Sequence, residues 1–340
     1  MRVLITGGAG FIGSNFIRYL AHAQPAVSII NFDKLTYAAN LENLADIPPN
    51  AAYHFVQGDL SDAEAVRRVF AESPDAAINF AAETHVDRSI EDPAPFLRTN
   101  VLGTHCLLEA ARRYRTSRFI QISTDEVYGS APADQSFTEQ AVLDPRNPYA
   151  ASKASGEHLV TAYANTYGIP AIILRSSNNY GPFQFPEKFI PLAIANAREG
   201  KPIPIYGDGL QQRDWLFVED YCRAIHAVLL NEKLGFVYNV STGVQQTNLH
   251  VARTILRCLG KPESLIEHVQ DRPGHDRRYA LNSAKFQNEL GWKPGVNFQD
   301  GIQKTIDWYL AHSEWLDHVR SGEYRRYYER HYTRRSETFR

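Results

Sequence analysis

A doubly wound α/β fold on a mostly parallel sheet, followed by a smaller α/β substrate lobe, is the architecture this 340-residue sequence predicts. Three observations predict it. Short apolar runs alternate with stretches of helical periodicity through the first half, the pattern of βαβ units and parallel strands. A glycine-rich turn stands between the first such run and the first helical stretch. The second half changes texture, because Gly181-Pro182, Pro186, Pro191, Pro202, Pro204, Gly207, Gly209 and Pro273-Gly274 cut it into short pieces.

In chain order, residues 2–6 form an apolar run, and 11–23 carry apolar residues at helical spacing. Strands are expected at 27–32, 53–56, 76–80 and 119–123, separated by helices near 62–70 and 95–114. The later helical stretches are 149–167, 190–199, 218–230 and 249–259. A boundary falls near residue 175: 1–175 as the sheet domain and 176–340 as the lobe over its carboxyl edge, some later segments returning to the first domain. Ligands of such sheets sit beyond the carboxyl ends of the strands. Residues 320–340 hold seven Arg and three Glu and read as a solvated or interface-covering end.

Composition removes several classes of function. Lys and Arg total 36 against 38 Asp and Glu, a net charge of −2, without the basic excess of a nucleic-acid binder. With 44% hydrophobic and 22% charged residues the chain is globular rather than disordered. Cys106, Cys222 and Cys258 form no CxxC pair, so neither a disulfide framework nor a cysteine metal site is expected, and a reducing compartment fits. Met1-Arg2 leads straight into the first strand without a signal peptide, and nowhere is there an apolar run of about 18 residues. The expectation is a soluble, cytoplasmic protein that binds neither metal nor membrane.

The first strand runs into Thr6-Gly7-Gly8-Ala9-Gly10-Phe11-Ile12-Gly13, which opens the first helix. Gly7, Gly10 and Gly13 supply the tight turn, the close approach of a pyrophosphate and the helix–strand packing of a Rossmann-type dinucleotide site. Asp33 ends the second strand 20 residues beyond Gly13, where a carboxylate accepts the adenosine ribose hydroxyls and repels a 2′-phosphate. NAD is therefore favoured over NADP, although Lys34 could soften that repulsion. Asp59 and Leu60 follow the third strand, where Asp59 serves equally well as a helix N-cap. Ala81-Ala82 follow the fourth with small side chains.

Tyr149 and Lys153 lie four residues apart at the start of a helical stretch, so phenol and ammonium share a face. A tyrosine titrates near 10 when free, and a neighbouring cation favours its phenolate. Such a pair can take a proton from a hydroxyl whose carbon gives up hydride. Thr124-Asp125-Glu126 closes the fifth strand, and alcohol oxidation has no use for its two carboxyls. If their environments separate their pKa values, they divide acid from base work. Spare acid–base groups imply a second chemical step.

Together with Asp33 to Tyr37, Ala81 to Ser89, Ser177 to Pro182, Arg213-Asp214-Trp215 and Asp271 to Asp276, these motifs resemble the extended short-chain dehydrogenase/reductases. The likeness runs from residue 1 to about 332 and is strongest to their nucleotide-sugar dehydratases. It implies a hydro-lyase acting on dTDP-glucose, with NAD regenerated in each turnover. Tyr149 with Lys153 would deprotonate the C4 hydroxyl, Thr124 would hold the C4 oxygen, Glu126 would remove the C5 proton, and Asp125 would protonate the leaving C6 hydroxyl. Around NAD the resemblance places Phe11, Ile12, Asp33, Lys34, Leu35, Thr36, Asp59, Leu60, Ala81, Ala82, Glu83, Thr84, Thr99 and Asn179. Around the hexose it places His85, Arg88, Asn178, Lys188 and Phe189; along the base, Pro204, Ile205 and Tyr206. Arg213, Asn248, Asp271, Arg272, Pro273, Gly274 and His275 would surround the ribose and diphosphate. A homodimer through a four-helix core is also implied. Thr84 and Phe189 stand where Ser and Leu are commoner, which bears only on fine substrate preference.

Without the resemblance, Arg213 and Arg272 read as ordinary salt-bridging arginines and His85 as a structural histidine. Three rival enzymes share the glycine turn and Tyr–Lys pair: a sugar-nucleotide 4-epimerase, a uronic-acid nucleotide decarboxylase, and a dehydratase of UDP-sugars. The first two have no need of the Asp125–Glu126 pair. A nonenzymatic NAD-sensing scaffold could dispense with the Tyr, Lys or acids, all of which this chain keeps.

Overall fold

Successive residues of a strand face opposite sides of its sheet, so a strand covered on both faces must be apolar nearly throughout. Arg2–Thr6 (β1), Ser28–Asp33 (β2), Tyr53–Gln57 (β3), Ala76–Asn79 (β4), Arg118–Thr124 (β5) and Ala171–Ser176 (β6) come close to that condition. The structure, a computed structural model that describes residues 1–49, 51–231 and 234–320, pairs them in parallel in the order β3-β2-β1-β4-β5-β6. Strand order reverses between β1 and β4, which opens a crevice at their carboxyl ends.

The alternation sorts the core into two layers. Val3, Ile5, Ile29, Ile78 and Leu174 share a cluster with Phe16, Ile17 and Leu20 of Phe11–Ala23 (α1). Leu4, Ile30, Ala77, Phe119 and Ile173 share the other with Val66 of Ala63–Phe70 (α2). Further helices are Val86–Glu91 (α3), Ala94–Phe96 (α4), Thr104–Tyr114 (α5) and Pro148–Tyr167 (α6); Leu107 and Val160 of the last two join the second layer.

The later chain contains Asn178–Tyr180 (β7), Phe189–Glu199 (α7), Ile203–Tyr206 (β8), Gln212–Phe217 (β9), Val218–Leu230 (α8), Val237–Val240 (β10), Gln245–Thr247 (β11), Asn248–Cys258 (α9) and Ile266–Val269 (β12). It does not stay apart from the first half. β10 pairs in parallel with β6 as a seventh strand, and Tyr221, Ile225 and Val228 of α8 complete the layer on the α1 side. Sheets β11-β9-β7 and β12-β8 enclose a separate core built on Ile190, Ile194, Trp215, Val251, Ile255 and Ile302.

Two local expectations need correction. The helix expected at 95–114 is α4, a wide π turn over Leu97–Gly103, and α5. Within that π turn lies the buried Asn100, whose amide donates to Glu83 O (3.0 Å) and Ser152 Oγ (2.8 Å) and whose oxygen accepts from Glu83 N (2.9 Å). A π turn inside a helix often serves such a local demand. Asp59 is not the N-cap of α2; Asp62 is, accepting from Glu64 N and Ala65 N. Of the charged end at 320–340, Arg320 ion-pairs with Glu199, and the rest lies outside the described residues. Among the described residues no helix is long and apolar enough to cross a membrane.

Helix α6 starts where its sequence says it should. Pro148 occupies its first turn, and Asn147 Oδ1 accepts from Ala150 N at 2.8 Å. Asn147→Ala should therefore lower the free energy of unfolding by about 1 kcal/mol. Chemical denaturation would show an earlier midpoint with an unchanged slope; an unchanged midpoint would remove the cap from the account.

Candidate active site

The glycine turn sits at the reversal of strand order. Gly7 has φ +69°, and a Cβ there would lie 2.6 Å from Ala81 N at the end of β4. A Cβ on Gly13 would lie 2.3 Å from Gly7 O, so only glycine lets α1 press onto the turn. No side chain caps the start of α1, leaving its first N–H groups to an anion.

Beside this turn is a cavity of about 290 Å³. It gathers Gly7, Gly10, Phe11, Ile12, Gly13, Asp33, Lys34, Thr36, Asp59, Leu60, Ala81, Ala82, Glu83, Thr84, Thr99 and Asn179 from six separate stretches of chain. Leu35 is the one expected cofactor residue outside the lining; its N–H donates to Asp33 Oδ1 at 2.8 Å. Asp33 Oδ2 accepts from Ala9 N at 2.9 Å, tying the acid to the glycine turn, while burial raises its pKa against these bonds. Lys34 is committed elsewhere: its ammonium lies 2.6 Å from Asp59 Oδ2. Burial raises the Asp59 carboxyl, but Lys34 and the Ser61 N–H and hydroxyl outweigh it and leave it below the usual range. A glycine cradle that a Cβ would fill, an open helix start and a buried acid at the second strand's end together fit NAD.

Thr124, Asp125, Glu126, Tyr149 and Lys153 line the same cavity. Thr124 caps the short turn Asp125–Tyr128, accepting from Glu126 N at 3.3 Å and donating to Asp125 Oδ1 at 3.1 Å. Asp125 is buried, and its Oδ2 has no hydrogen-bond partner among the described residues. Burial first, then the charge of Glu126, pushes its pKa well up against the pull of Arg213, so it stands as a proton donor. Half-buried Glu126 accepts through Oε2 from Asn147 Nδ2 and Tyr279 OH, both at 3.3 Å. Two neighbouring carboxyls thus occupy different environments.

The expected lowering of Tyr149 by Lys153 is not what the chain alone produces. Burial, then Glu126, raises the Tyr149 phenol, with a bond to the Thr124 side chain opposing. Lys153 donates its ammonium to Ile122 O at 2.6 Å, one strand residue short of Ser123. Burial pushes Lys153 down to about 8 against the charge of Glu157. Both members of the pair are dry, and desolvation disfavours either charge.

A second cavity, of about 170 Å³, shares Thr84, Glu126, Asn178, Asn179, Gln184, Glu187 and Lys188 with the first. It adds His85, Phe189, Pro204, Ile205, Tyr206, Arg213, Asn248, Arg272 and His275. Arg213, Arg272 and Lys188 bring three cations to it beside the carboxyls of Asp87, Glu126 and Glu187, and guanidinium and ammonium donors suit a diphosphate. Burial pushes His275 down to about 4, so it is neutral near pH 7; its Nδ1–H donates to Asp271 at 2.6 Å. Arg88, Asp271, Pro273 and Gly274 do not line it. Asp271 acts through His275, and the Arg88 guanidinium lies 3.8 Å over the Tyr37 ring and 3.4 Å from Glu187.

Several lining or supporting residues escaped the sequence reading. Asp87 holds Arg272 (3.2 Å) and accepts from Tyr206 OH (2.7 Å); Tyr37 OH donates to Glu187 (2.9 Å); the Arg213 guanidinium lies 4.0 Å over the Tyr279 ring. The available signal was the cations themselves, since a buried guanidinium requires a carboxylate or ring partner.

The sequence is 48% identical to dTDP-glucose 4,6-dehydratase of Salmonella typhimurium over 98% of this chain and 99% of that protein. The chain belongs to the dTDP-glucose 4,6-dehydratase family. A family model described as GDP-mannose 4,6 dehydratase matches residues 4–305. The Streptomyces venezuelae dTDP-glucose 4,6-dehydratase crystallised with NAD and dTDP has a TM-score of 0.90 and 45% identity, covering 94% of this chain and all of that one. A UDP-glucose 4-epimerase of Thermus thermophilus in complex with NAD has a TM-score of 0.85 and 35% identity, over 92% of this chain and 100% of that one. A fold common to dehydratases and epimerases leaves the distinction to the site.

Because Lys153 is pushed down to about 8, its charge is present below that pH and lost above it. Reaction at Tyr149 that depends on this ammonium should decline as pH rises through about 8. A rate–pH profile that stays level well beyond that value would show that the ammonium is not needed.

Proposed function

We propose that this chain dehydrates dTDP-glucose to dTDP-4-keto-6-deoxyglucose and water, with NAD as its resident cofactor. One observation carries the choice of dehydration over epimerisation: a buried Asp125, its carboxyl pushed well up by burial, adjoins Glu126 in the cavity that holds Tyr149 and Lys153. Gly7, Gly10, Asp33 and Thr36 would hold NAD, which when bound would supply a reversible hydride acceptor for the hexose.

Each chain residue then has a proton or an orientation to manage. Tyr149, with Lys153 one helical turn on, takes the proton of the C4 hydroxyl, and Thr124 holds the C4 oxygen. Oxidation of C4 to a ketone acidifies the neighbouring C5–H. Glu126 removes that proton while Asp125 gives its own to the C6 hydroxyl, which departs as water as the C5=C6 bond forms. Glu126 returns its proton to C5 when C6 is reduced. Over one cycle the proton gained at Tyr149 equals that lost at Asp125.

Arg213, Arg272, Asn248 and neutral His275 receive the ribose and diphosphate, while Pro204, Ile205 and Tyr206 line the base. His85, Asn178, Lys188 and Phe189 shape the hexose end, with Arg88 behind them against Tyr37 and Glu187. Thymidine is preferred to uridine on the strength of the relatives. The sheet domain, with α8 and β10 returned to it, holds NAD; the remainder clasps the nucleotide. Two copies pair through α5 and α6, whose neighbourhood exposes Leu97, Leu102 and Tyr167. The three cysteines are free thiols, in keeping with a reducing cytoplasm.

Glu126→Gln should still oxidise C4 of dTDP-glucose, with NADH absorbance rising and persisting, yet release no 4-keto-6-deoxy product. Asp125→Asn should slow elimination by about 10²–10³-fold while oxidation proceeds. Normal product formation by either variant would overturn its assigned role, and UDP-glucose assayed in parallel decides the base.

A further inference from the structure

We infer that the buried Glu157–Arg175 pair, acting through Tyr128, is a positioning strut. It fastens the helix that carries Tyr149 and Lys153 to the turn that carries Asp125 and Glu126, and so sets the rate of elimination. The inference rests on the two-step reaction proposed above. None of the three residues lines either cavity, so any part they take is indirect.

Tyr149, Lys153 and Glu157 lie at successive four-residue steps of α6 and share one face. Behind Lys153, Glu157 meets Arg175 of β6 edge on: Nε lies 3.1 and 2.9 Å from its two carboxylate oxygens, and Nη2 lies 2.5 Å from the second. The other guanidinium nitrogen, Nη1, donates to Tyr128 OH at 2.6 Å. Tyr128 ends the acid-bearing turn, two residues after Glu126. Its hydroxyl donates in turn to Asn239 Oδ1 of β10 at 2.9 Å, and its ring stacks on Phe137 with centroids 5.0 Å apart. Asn239 is held by Glu139 Oε1 and Phe137 O, each at 2.9 Å.

Stability alone is a poor reason for this arrangement. Taking two charges out of water costs several kcal/mol per ion, and well-packed apolar residues of similar volume often do as well or better. What the fork supplies that apolar packing does not is direction: one guanidinium plane orients a helix, a strand and a turn at once. The acid turn is thereby fastened to α6 twice, by Asn147 to Glu126 in front and by Arg175 to Tyr128 behind. Oxidation uses Tyr149 and Lys153 of α6 and Thr124, which the sheet holds at the end of β5, whereas elimination needs the acids of the turn placed over C5 and C6. A slack turn therefore harms the second step more than the first.

Tyr128→Phe removes one oxygen and keeps the ring, the ion pair and hence the charge beside Lys153. In single-turnover stopped flow with dTDP-glucose, C4 oxidation, read as NADH appearance, should stay within about twofold of wild type. Elimination, read as NADH decay and formation of the 4-keto-6-deoxy product, should slow by about tenfold or more. Arg175→Lys, which keeps the cation but loses the fork, should shift the ratio of the two rates in the same direction. A purely structural role would lower the melting temperature while leaving that ratio at its wild-type value, and that outcome overturns the strut. A wild-type protein that forms neither NADH nor product overturns the proposed function, and the strut with it.

Discussion

Everything in this molecule turns on keeping a carboxylic acid dry within reach of a second carboxyl. An unpaired buried carboxylate is expensive, so a desolvated group beside a like charge keeps its proton. Asp125 is in that position: it is buried, Glu126 is the next residue, and Oδ2 has no hydrogen-bond partner among the described residues. Thr124 and Arg213 limit the cost without cancelling it. The penalty is tolerable because it falls on a turn anchored at the carboxyl end of a central strand, where the sheet supplies the rigidity.

That location explains the division of labour between the lobes. The glycine turn, Asp33 and Ala81-Ala82 belong to β1, β2 and β4, and together they form the cofactor side. The nucleotide side is drawn from β8, β9 and the 271–275 loop. Thr84, Glu126, Asn178, Asn179 and Lys188 line both cavities, so the reacting carbons have their natural place where the two meet. Return of α8 and β10 to the first sheet secures this meeting point, since the chain leaves and re-enters the main core on either side of the nucleotide-lining strands.

How much of this was legible in the sequence depended on range. Helix α1 and strand β1 could be read to the residue because Gly7, Gly10 and Gly13 mark their junction and the apolar spacing is clean. Asp33 was legible through its distance from Gly13. The joint placement of Tyr149, Lys153, Asp125 and Glu126 was legible only because each stands at a strand end or helix start, where a parallel sheet collects its side chains. The π turn at Leu97–Gly103 was not, since it answers to Asn100 meeting Glu83 and Ser152, contacts that no local pattern encodes. Asp87, Tyr37 and Glu187 went unread for the same reason: their partners are Arg272, Arg88 and one another. The raised Tyr149 phenol of the chain alone was not legible, because burial dominates it and burial is a tertiary property.

The three cations of the nucleotide cavity sit in a near-neutral chain because they arrive already partnered. Arg272 leans on Asp87, and Arg88 lies between Glu187 and the Tyr37 ring. Lys188 donates to Thr84 O at 2.7 Å, while Arg213 rests on Tyr279 and on Asp276 O. Each partner fixes a direction and leaves other donors over: Arg272 Nε is buried and has no hydrogen-bond partner among the described residues. A diphosphate entering such a site meets donors that are oriented in advance, so little ordering remains to be done on binding. The same partners keep the cleft from repelling itself when no anion is there. His275, neutral and held by Asp271, adds a polar contact without adding charge. The economy of cations matters next door, where Arg213 already draws down Asp125 and a further positive group would draw it further. Substrate affinity and the acidity of the elimination step are therefore set by one shared charge balance, and Arg213 is the residue on which they meet.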